Sequence, residues 1–306
     1  MPHKVTIICN PRADMGRARI TIAALRTNPP ACDAEIVWRE TRHPHHATEL
    51  AQAAGDAGHD LIIALGGDGL VHEIVNGLMT LPDSLRPAFG VVPIGSGNDF
   101  AHAIGISGRP EEILARLLQS ENFRRVDIGQ MTDDSGRVVF FDNTLGMGFD
   151  AIVTIRSHRL PVIKGFLMYL TAVIQTILLN HECLNVVLET DNGRWEGDVH
   201  MLALCNGPRE GGGFLLSPDS RNDDGTMEYI AVTRLSRLLM FRLISEFMQG
   251  THRRFPQIHM GTFKRLTLTS DRPLQIHADG EVIADFSSAT RRIEVTILPQ
   301  ALQVVI

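Results

Sequence analysis

Two glycine-rich loops, each following an apolar run, constrain the fold of this chain more than any other feature. The first loop (GGDG, residues 66–69) follows the apolar residues 61–65, and the second (GSGND, residues 95–99) follows residues 89–92. Glycine lets backbone N–H groups approach a phosphate closely, and a helix that begins after the loop adds its own free N–H groups. An aspartate in each loop cannot bind phosphate directly, so a bridging Mg²⁺ is expected. The loops therefore predict a nucleotide–metal site.

The first third of the chain alternates between strand and helix patterns. This alternation predicts a parallel sheet covered on both faces, in which ligands bind beyond the carboxyl ends of the strands. Both glycine loops, and the Asn10-Pro11-Arg12 segment, follow such strand ends. We predict strands at 4–9, 35–38, 61–65 and 89–93, and helices at 17–26, 46–57 and 71–79.

The pattern changes after about residue 125, where short apolar runs are separated by Asp/Asn-Gly turns. Such spacing predicts antiparallel strands, here interrupted by helices at 160–179 and 236–249. We therefore predict two domains, residues 1–124 and residues 125–306. The expected strands of the second are 126–128, 138–141, 185–189, 199–205, 227–232, 266–269, 274–277, 293–298 and 302–306.

Composition limits the function classes. A chain of 306 residues suits two domains, and its formal net charge of -6 argues against nucleic-acid binding by bulk electrostatics. No signal peptide is evident, and residues 160–179 contain Lys164, Gln175 and other polar residues, which disfavours a membrane span. The four cysteines are far apart in sequence, which indicates free thiols in a reducing compartment. We therefore expect a cytoplasmic protein.

Three further patterns leave alternatives open. The Gly- and Asp-rich segment 211–225 could form local turns or a small oxygen-ligand metal site. The run 277–281 (HADGE) could be a solvated hairpin turn or a pair of working carboxylates. Arg234, Arg237 and Arg242 lie at helical spacing, either on an ordinary amphipathic helix or on a patch that docks on anionic lipid headgroups.

The two glycine loops, the 211–225 segment and the Asp279-Gly280-Glu281 turn occur here in an order that resembles the diacylglycerol kinase catalytic family. The similarity is to its soluble bacterial lipid kinases, which are related to sphingosine kinases, and it covers almost the whole chain. The resemblance implies an N-terminal α/β nucleotide-binding domain and a C-terminal antiparallel β-sandwich, with the active site in the cleft between them. It also implies ATP and Mg²⁺ as cofactors and a lipid substrate reached transiently at the membrane surface.

The resemblance also implies roles for individual residues. Glu281 would be the general base, with Asp279 beside it, while Asp68 and Asp99 would organise the catalytic Mg²⁺. A structural Mg²⁺ would bind the Asp224 carboxylate and main-chain oxygens of Arg221 and Thr226. Lys164-Gly165 matches a basic position in the family near the lipid or phosphate entrance. The residues implied for ATP binding are Asn10, Thr41, Gly66, Gly67, Asp68, Gly69, Leu70, Val71, His72, Ser96 and Asn98.

Three positions depart from the family pattern. Leu70 stands where threonine is usual, and its missing hydroxyl would cost roughly 0.5–2 kcal/mol if that group capped the helix. His102 stands where arginine is common. The loop at residues 11–17, which follows the first strand, is longer and less regular than usual, so that Arg12 or Arg17 could replace a family lysine there. These departures bear on substrate and turnover more than on the fold.

The sequence favours a kinase that transfers the ATP γ-phosphate to a lipid hydroxyl, with diacylglycerol as the expected acceptor. Phosphatidylglycerol, sphingoid bases and ceramide remain open, because lipid specificity depends on pocket shape. A kinase like those for NAD or sugar phosphates also uses a GGDG loop, and a catalytically weak lipid- or nucleotide-binding regulator would account for Leu70. An open sheet edge also allows a homodimer.

Overall fold

The computed structural model describes residues 4–16, 18–160 and 165–306. The chain divides into two compact units. The first unit runs up to Asp127 and also contains Gln300–Ile306, and the second is Ile128–Pro299. The sequence interpretation assigns residues 300–306 to the second domain. In the structure these residues belong to the first unit, where Val304 pairs with Phe89.

The first unit is built on a parallel sheet, as the sequence predicts. Strands β4 (Ala88–Pro93), β3 (Leu61–Gly66), β1 (Lys4–Cys9) and β2 (Glu35–Glu40) lie side by side in that order. Every residue of β3 is buried, which is typical of a strand covered on both faces. The helices are α1 (Ala18–Thr27), α2 (His46–Asp56), α3 (Asp68–Met79), α4 (Asp99–Ala103) and α5 (Pro110–Gln119).

The second unit is an antiparallel β-sandwich, again as predicted, with a layer of helices. Its strands are β5 (Phe123–Asp133), β6 (Val138–Phe141), β7 (Thr144–Gly148), β8 (Leu184–Thr190), β9 (Gly193–Cys205), β10 (Met227–Thr233), β11 (Ile258–Phe263), β12 (Arg265–Ser270), β13 (Ile276–Ala278), β14 (Glu281–Ala284) and β15 (Arg292–Val305). Its helices are α6 (Phe149–Ser157), α7 (Gly165–Leu179) and α8 (Arg237–Gln249). Strands β5 and β15 contribute residues to both units.

The second half of β9, residues 199–205, is buried on both faces and separates two apolar cores. Side chains alternate between the faces of a strand, so successive residues of β9 enter different cores. Leu202 and Leu204 pack in the core between the strands, whereas Met201 and Ala203 pack in the core beneath the helices. Helices α6, α7 and α8 all contribute to the core beneath the helices. This core therefore positions the part of the candidate site that lies in the second unit.

Several elements differ from the sequence prediction. The structure adds α6, whose Ile152, Val153 and Ile155 are β-branched residues typical of strands; burial of the helix face outweighs that preference. It also adds β7 and β11, and the two predicted strands at the C-terminus form the single strand β15.

The predicted helix 160–179 is described from Gly165 onward, and residues 161–164, including Lys164, lie outside the described residues, as does Arg17. Within the described ranges, no helix is both long enough and apolar enough to cross a membrane.

Candidate active site

The two glycine loops of the first unit are in backbone contact. A Cβ built on Gly95 would lie 2.4 Å from the Cα of Gly67, so these loops approach only because both positions lack a side chain. The contact is continued by a hydrogen bond from the Ile94 N–H to the Gly66 carbonyl, at 2.9 Å. Strands β3 and β4 are neighbours in the parallel sheet, so the two glycine loops that follow them lie together at the carboxyl edge of the sheet.

Asp68 fixes the second loop through its carboxylate. One oxygen accepts the Asn98 N–H at 2.6 Å, and the other accepts the Asp99 N–H at 2.7 Å. Asn98 adopts a left-handed conformation with φ of 57°, and its own side chain accepts the Gly95 N–H at 3.1 Å. The loop is therefore held by side-chain contacts on both sides of its turn.

Gly97 lies between the two predicted metal-organising carboxylates. A Cβ at this position would be 2.5 Å from an oxygen of Asp68 and 3.5 Å from an oxygen of Asp99. The two carboxylates therefore flank one point beside glycine backbone. Each carboxylate oxygen has more than one lone pair, so Asp68 retains acceptor capacity beyond its two backbone bonds. Oxygen donors of this kind suit a hard divalent cation.

Asn10 and Thr41, both predicted to bind ATP, lie at the same carboxyl edge of the sheet. The Asn10 N–H donates to the Leu65 carbonyl at 3.4 Å, and the Thr41 N–H donates to the Cys9 carbonyl at 2.9 Å. The Asn10 side-chain oxygen accepts the Arg12 N–H at 2.9 Å. Ser96, in the second loop, is exposed.

Leu70, Val71 and His72 form the buried first turn of α3. A Cβ on Gly66 would lie 2.5 Å from Leu70 Cδ2, so the leucine that replaces the usual threonine packs directly on the first loop. The role of these three residues in ATP binding stays a prediction.

In the second unit, Asp279 anchors the turn that carries Glu281. One oxygen of its carboxylate accepts the N–H groups of Asn143 and Thr144 at 2.9 and 3.0 Å, and the other accepts that of Asp142 at 3.1 Å. The Asp279 N–H donates in return to the Thr144 carbonyl at 2.8 Å. These bonds hold the turn rigidly, and the half-buried Glu281 begins the next strand. A catalytic role for either carboxylate stays a prediction.

The residues predicted to hold a structural Mg²⁺ lie in one local turn. Asp224 accepts hydrogen bonds from the backbone N–H and the hydroxyl of Thr226, at 3.0 and 2.9 Å. The Arg221 guanidinium pairs with Asp223 at 3.1 Å. Arg221 and Asp224 are exposed. The turn keeps its two interpretations, a local structural turn and a metal site.

The structure brings together four polar side chains of the second unit, which we call the buried cluster: Asp150, Glu210 and His277, which are buried, and Tyr169, which is half-buried. The sequence analysis named His277 only as the first residue of the 277–281 run, and it missed the other three. His277 Nε2 lies 3.1 Å from a carboxylate oxygen of Asp150 and 3.2 Å from one of Glu210. The Tyr169 hydroxyl lies 3.2 Å from Asp150 and 2.9 Å from Glu210. No spacing in the sequence signals this group, because tertiary structure brings its members together from four separate segments.

Burial and the neighbouring negative charges have opposite effects on the pKa of His277, whose ring lies at the centre of the buried cluster. Burial alone lowers the pKa of His277, but the carboxylates of Glu210 and Asp150 outweigh that effect and raise the pKa to about 9. Burial, reinforced by the same two carboxylates, raises the pKa of Tyr169 well above its usual value. The cluster therefore favours a cation on the histidine and a neutral phenol.

Comparison with known proteins identifies the family. Residues 4–131 match the diacylglycerol kinase catalytic domain, and residues 143–306 match the YegS C-terminal NAD kinase beta sandwich-like domain. The chain is 32% identical over 249 residues to the "Probable lipid kinase YegS-like" of Chromohalobacter salexigens, covering 80% of this chain and 77% of that protein. The chain belongs to the YegS-like lipid kinase family.

Further relatives agree with this assignment. A protein of the same name from Yersinia pestis is 25% identical to this YegS-like lipid kinase over 305 residues, covering 99% of this chain and 96% of that one. The crystal structure of a diacylglycerol kinase from Bacillus anthracis str. Sterne has the same fold, with a TM-score of 0.70 at 22% identity and coverage of 99% and 96%. The resemblance seen in the sequence is thus confirmed, and the kinase family implies ATP and a divalent metal.

Proposed function

We propose that this YegS-like lipid kinase transfers the γ-phosphate of ATP to the free hydroxyl of diacylglycerol, giving phosphatidic acid, with Mg²⁺ as the metal. The observation that carries the proposal is an apolar cavity in the second unit that reaches the buried cluster. The space among its lining side chains, counted together with the solvent at its open mouth, is about 620 Å³. An apolar pocket with a few polar groups on its wall is typical of small-molecule sites.

The lining of the cavity suits hydrocarbon chains. Helices α6, α7 and α8 and strands β9 and β10 contribute apolar side chains, among them Val153, Val173, Leu243 and Phe247. Asp150, Tyr169 and Glu210 of the buried cluster also line it. A lipid could bury its chains against the aliphatic walls while its polar group meets the carboxylates. Burying chains in this way contributes about 0.8 kcal/mol per methylene group.

The first unit supplies the features expected of a nucleotide site. Its two glycine loops meet at Gly67 and Gly95, and its two aspartates flank Gly97. When bound, Mg²⁺ would neutralise charge on the phosphates, and positioning and charge neutralisation account for most catalysis of phosphoryl transfer. Asp68 and Asp99 would hold the ion, while Asp68 also fixes the second loop through its two backbone bonds.

Glu281 is the residue that we propose to accept the proton of the lipid hydroxyl. A carboxylate placed within hydrogen-bond reach of the hydroxyl can take its proton as transfer proceeds. Glu281 is half-buried, and it follows a turn that Asp279 holds by three backbone bonds. In this proposal Asp279 has a structural role, and Glu281 is the general base.

The helices that line the cavity also offer a surface for contact with a membrane. We call this surface the apolar helix face: Leu167, Leu178 and Leu179 on α7, and Leu238, Phe241 and Met248 on α8. All six side chains are exposed, Leu238 to 83%. Exposed apolar residues next to a lipid cavity suit a kinase that takes its substrate from a bilayer.

The basic residues of this region are engaged within the protein. Arg234 pairs with Asp198 at 3.1 Å, Arg242 pairs with Glu246 at 2.7 Å, and Arg237 donates to the Ile177 carbonyl at 3.1 Å. The proposed membrane contact therefore relies on apolar residues more than on this arginine series.

A second candidate substrate is a lipid that carries an amine beside its hydroxyl, such as a sphingoid base. The observation that favours it is the pair of carboxylates, Asp150 and Glu210, on the cavity wall. Two buried carboxylates would pair with an ammonium group, although the histidine already offsets part of their charge.

The test is transfer of radiolabelled γ-phosphate from ATP to a panel of lipids in mixed micelles, with wild type and Glu281→Gln. Label in diacylglycerol that is lost in the variant supports the proposal. Label only in sphingoid bases supports the second candidate. No label in any lipid, despite measurable ATP binding, would support a regulator or a kinase with a soluble acceptor.

A further inference from the structure

His277 contacts two functional regions of the second unit at once. Its Nε2 side meets the buried cluster, through Asp150 and Glu210. Its Nδ1 side faces the turn of its own hairpin, where the Gly280 N–H donates to Nδ1 at 3.3 Å. A backbone N–H can only donate, so Nδ1 acts as the acceptor in this bond. Gly280 immediately precedes Glu281.

The surrounding structure is shaped for this ring. His277 on β13 is paired with Gly146 on β7. A Cβ on Gly146 would lie 2.1 Å from His277 Nε2 and 2.2 Å from an oxygen of Asp150, so any larger residue there would displace the contact. The His277 side chain is fully buried. The ring is thus held in one position by packing.

We propose that His277 is a positioning residue that connects the lipid-binding end of the cavity to the turn carrying Glu281. This inference rests on the proposed function, since it assumes that Glu281 is the general base. The ring would transmit the state of the buried cluster to the base through one hydrogen bond, that from Gly280.

The protonation state of the ring sets this connection. A neutral imidazole can donate from Nε2 to the carboxylates while Nδ1 accepts from Gly280, whereas an imidazolium donates from both nitrogens and loses the Gly280 bond. The groups that face the ring are Asp150 on α6, Glu210 after β9 and Asp279 in the turn, with Tyr169 on α7 in contact with the two carboxylates. A lipid polar group that neutralises these carboxylates would favour the neutral ring and thereby fix the turn.

Two substitutions of His277 test the roles of the two ring nitrogens separately. In His277→Asn, the side-chain oxygen lies as many bonds from Cβ as Nδ1 does and can still accept from Gly280. In His277→Gln, the side-chain nitrogen corresponds to Nε2 and can still donate to Asp150 and Glu210, but no acceptor faces Gly280. We expect His277→Gln to lower kcat by about 10- to 100-fold, since small misplacements of a catalytic group have large effects. We expect His277→Asn, which keeps an acceptor for the Gly280 N–H, to lower kcat less than His277→Gln does.

The pH profile gives a readout that a merely structural role would not produce. The kcat of wild type should rise between neutral pH and about pH 9, as the ring loses its proton and Nδ1 becomes an acceptor. The kcat of His277→Asn should lack this rise, because its oxygen accepts at every pH.

Nuclear magnetic resonance on the wild-type protein tests whether the Gly280 hydrogen bond follows the protonation of His277, even if both variants fail to fold. With ¹⁵N-labelled histidine and glycine, the Gly280 amide signal should shift with the same midpoint as the His277 ring. A Gly280 signal that does not follow the ring titration would overturn the proposal, as would wild-type kcat in His277→Gln. Full activity in Glu281→Gln would instead overturn the proposed role of Glu281, and the Gly280 titration is independent of that result.

Discussion

The carboxylate of Asp68 accepts the backbone N–H of Asp99 at 2.7 Å, so that one glycine loop holds the other. The two residues are 31 positions apart in sequence, and they meet because β3 and β4 are adjacent parallel strands. The same carboxylate also accepts the Asn98 N–H. Asp68 is therefore a structural residue of the loop pair as well as a proposed metal ligand.

Asp68→Asn should weaken both functions of this carboxylate. An amide has one acceptor oxygen, so one backbone N–H loses its partner, which costs about 1–3 kcal/mol in the free energy of unfolding. The variant should also need more Mg²⁺ and ATP for half-maximal rate. Urea unfolding and a Mg²⁺ titration of activity measure the two effects, with Asp56→Asn, an exposed site, as the control of equal charge. Wild-type rate and Mg²⁺ dependence in Asp68→Asn would exclude the metal role.

Asp279→Asn and Glu281→Gln should separate structure from chemistry in one turn. Asp279 accepts three backbone N–H groups, so Asp279→Asn should lower the free energy of unfolding by about 1–3 kcal/mol. Glu281→Gln should leave stability and ATP binding near wild type while lowering transfer by about 10²–10⁴-fold. Urea unfolding and isothermal titration with ATP, run on both variants, test this. Equal stability loss in the two variants would contradict the division of roles.

Val173→Phe should reduce lipid phosphorylation by filling the cavity. Val173 is buried on the cavity wall, so a phenyl ring at this position would occupy space that a lipid chain would otherwise fill. The KM for long-chain diacylglycerol should rise more than that for a short-chain analogue, with the KM for ATP unchanged. Ile174→Phe is the matched control, since Ile174 is the next residue of α7 and is exposed. A similar effect in both variants would argue against the cavity as the lipid site.

Charges on the apolar helix face should weaken membrane binding. The double variant Leu179→Glu and Leu238→Glu places two carboxylates among exposed apolar residues, and both sites tolerate polarity because they are exposed to 66% and 83%. Sedimentation with vesicles that contain diacylglycerol should show less bound protein, while activity toward a micellar short-chain lipid is retained. Ile20→Glu, on α1 of the first unit and exposed to 76%, is the control. Undiminished vesicle binding by the double variant would locate the membrane contact elsewhere.

The raised pKa of His277 predicts how stability changes with pH. The ring gains a proton more readily in the folded state, where its pKa is about 9, than in the unfolded chain, where it is about 6.5. This contribution to stability is fully present below about pH 6.5 and is lost as pH rises through about 9. At 1.36 kcal/mol per unit, the contribution is about 3 kcal/mol. The free energy of unfolding should therefore fall more steeply from pH 6.5 to 9 in wild type than in His277→Asn, and parallel curves would contradict the pairing.

Local sequence determined the framework of the nucleotide half. The glycine loops could be predicted because glycine spacing and the preceding apolar runs are properties of short segments, and the strand–helix alternation sets a parallel sheet. The convergence of Asn10 and the two loops at one edge followed from the geometry of parallel strands, whereas Thr41 was expected there only from the family resemblance. The elements that sequence analysis missed, such as α6, are those whose local preference was outweighed by burial.

The part of the candidate site that lies in the second unit, namely the buried cluster and the cavity, was decided by tertiary structure alone. His277 and Asp150 are 127 residues apart, and they meet because β13 pairs with β7 and α6 follows β7 directly. No local pattern encodes such a meeting, since the contact depends on strand register and on the missing side chain of Gly146. The same holds for the cavity, whose walls come from helices and strands that are distant in sequence. The local sequence thus predicts which loops bind phosphate, whereas packing determined which polar groups line the cavity.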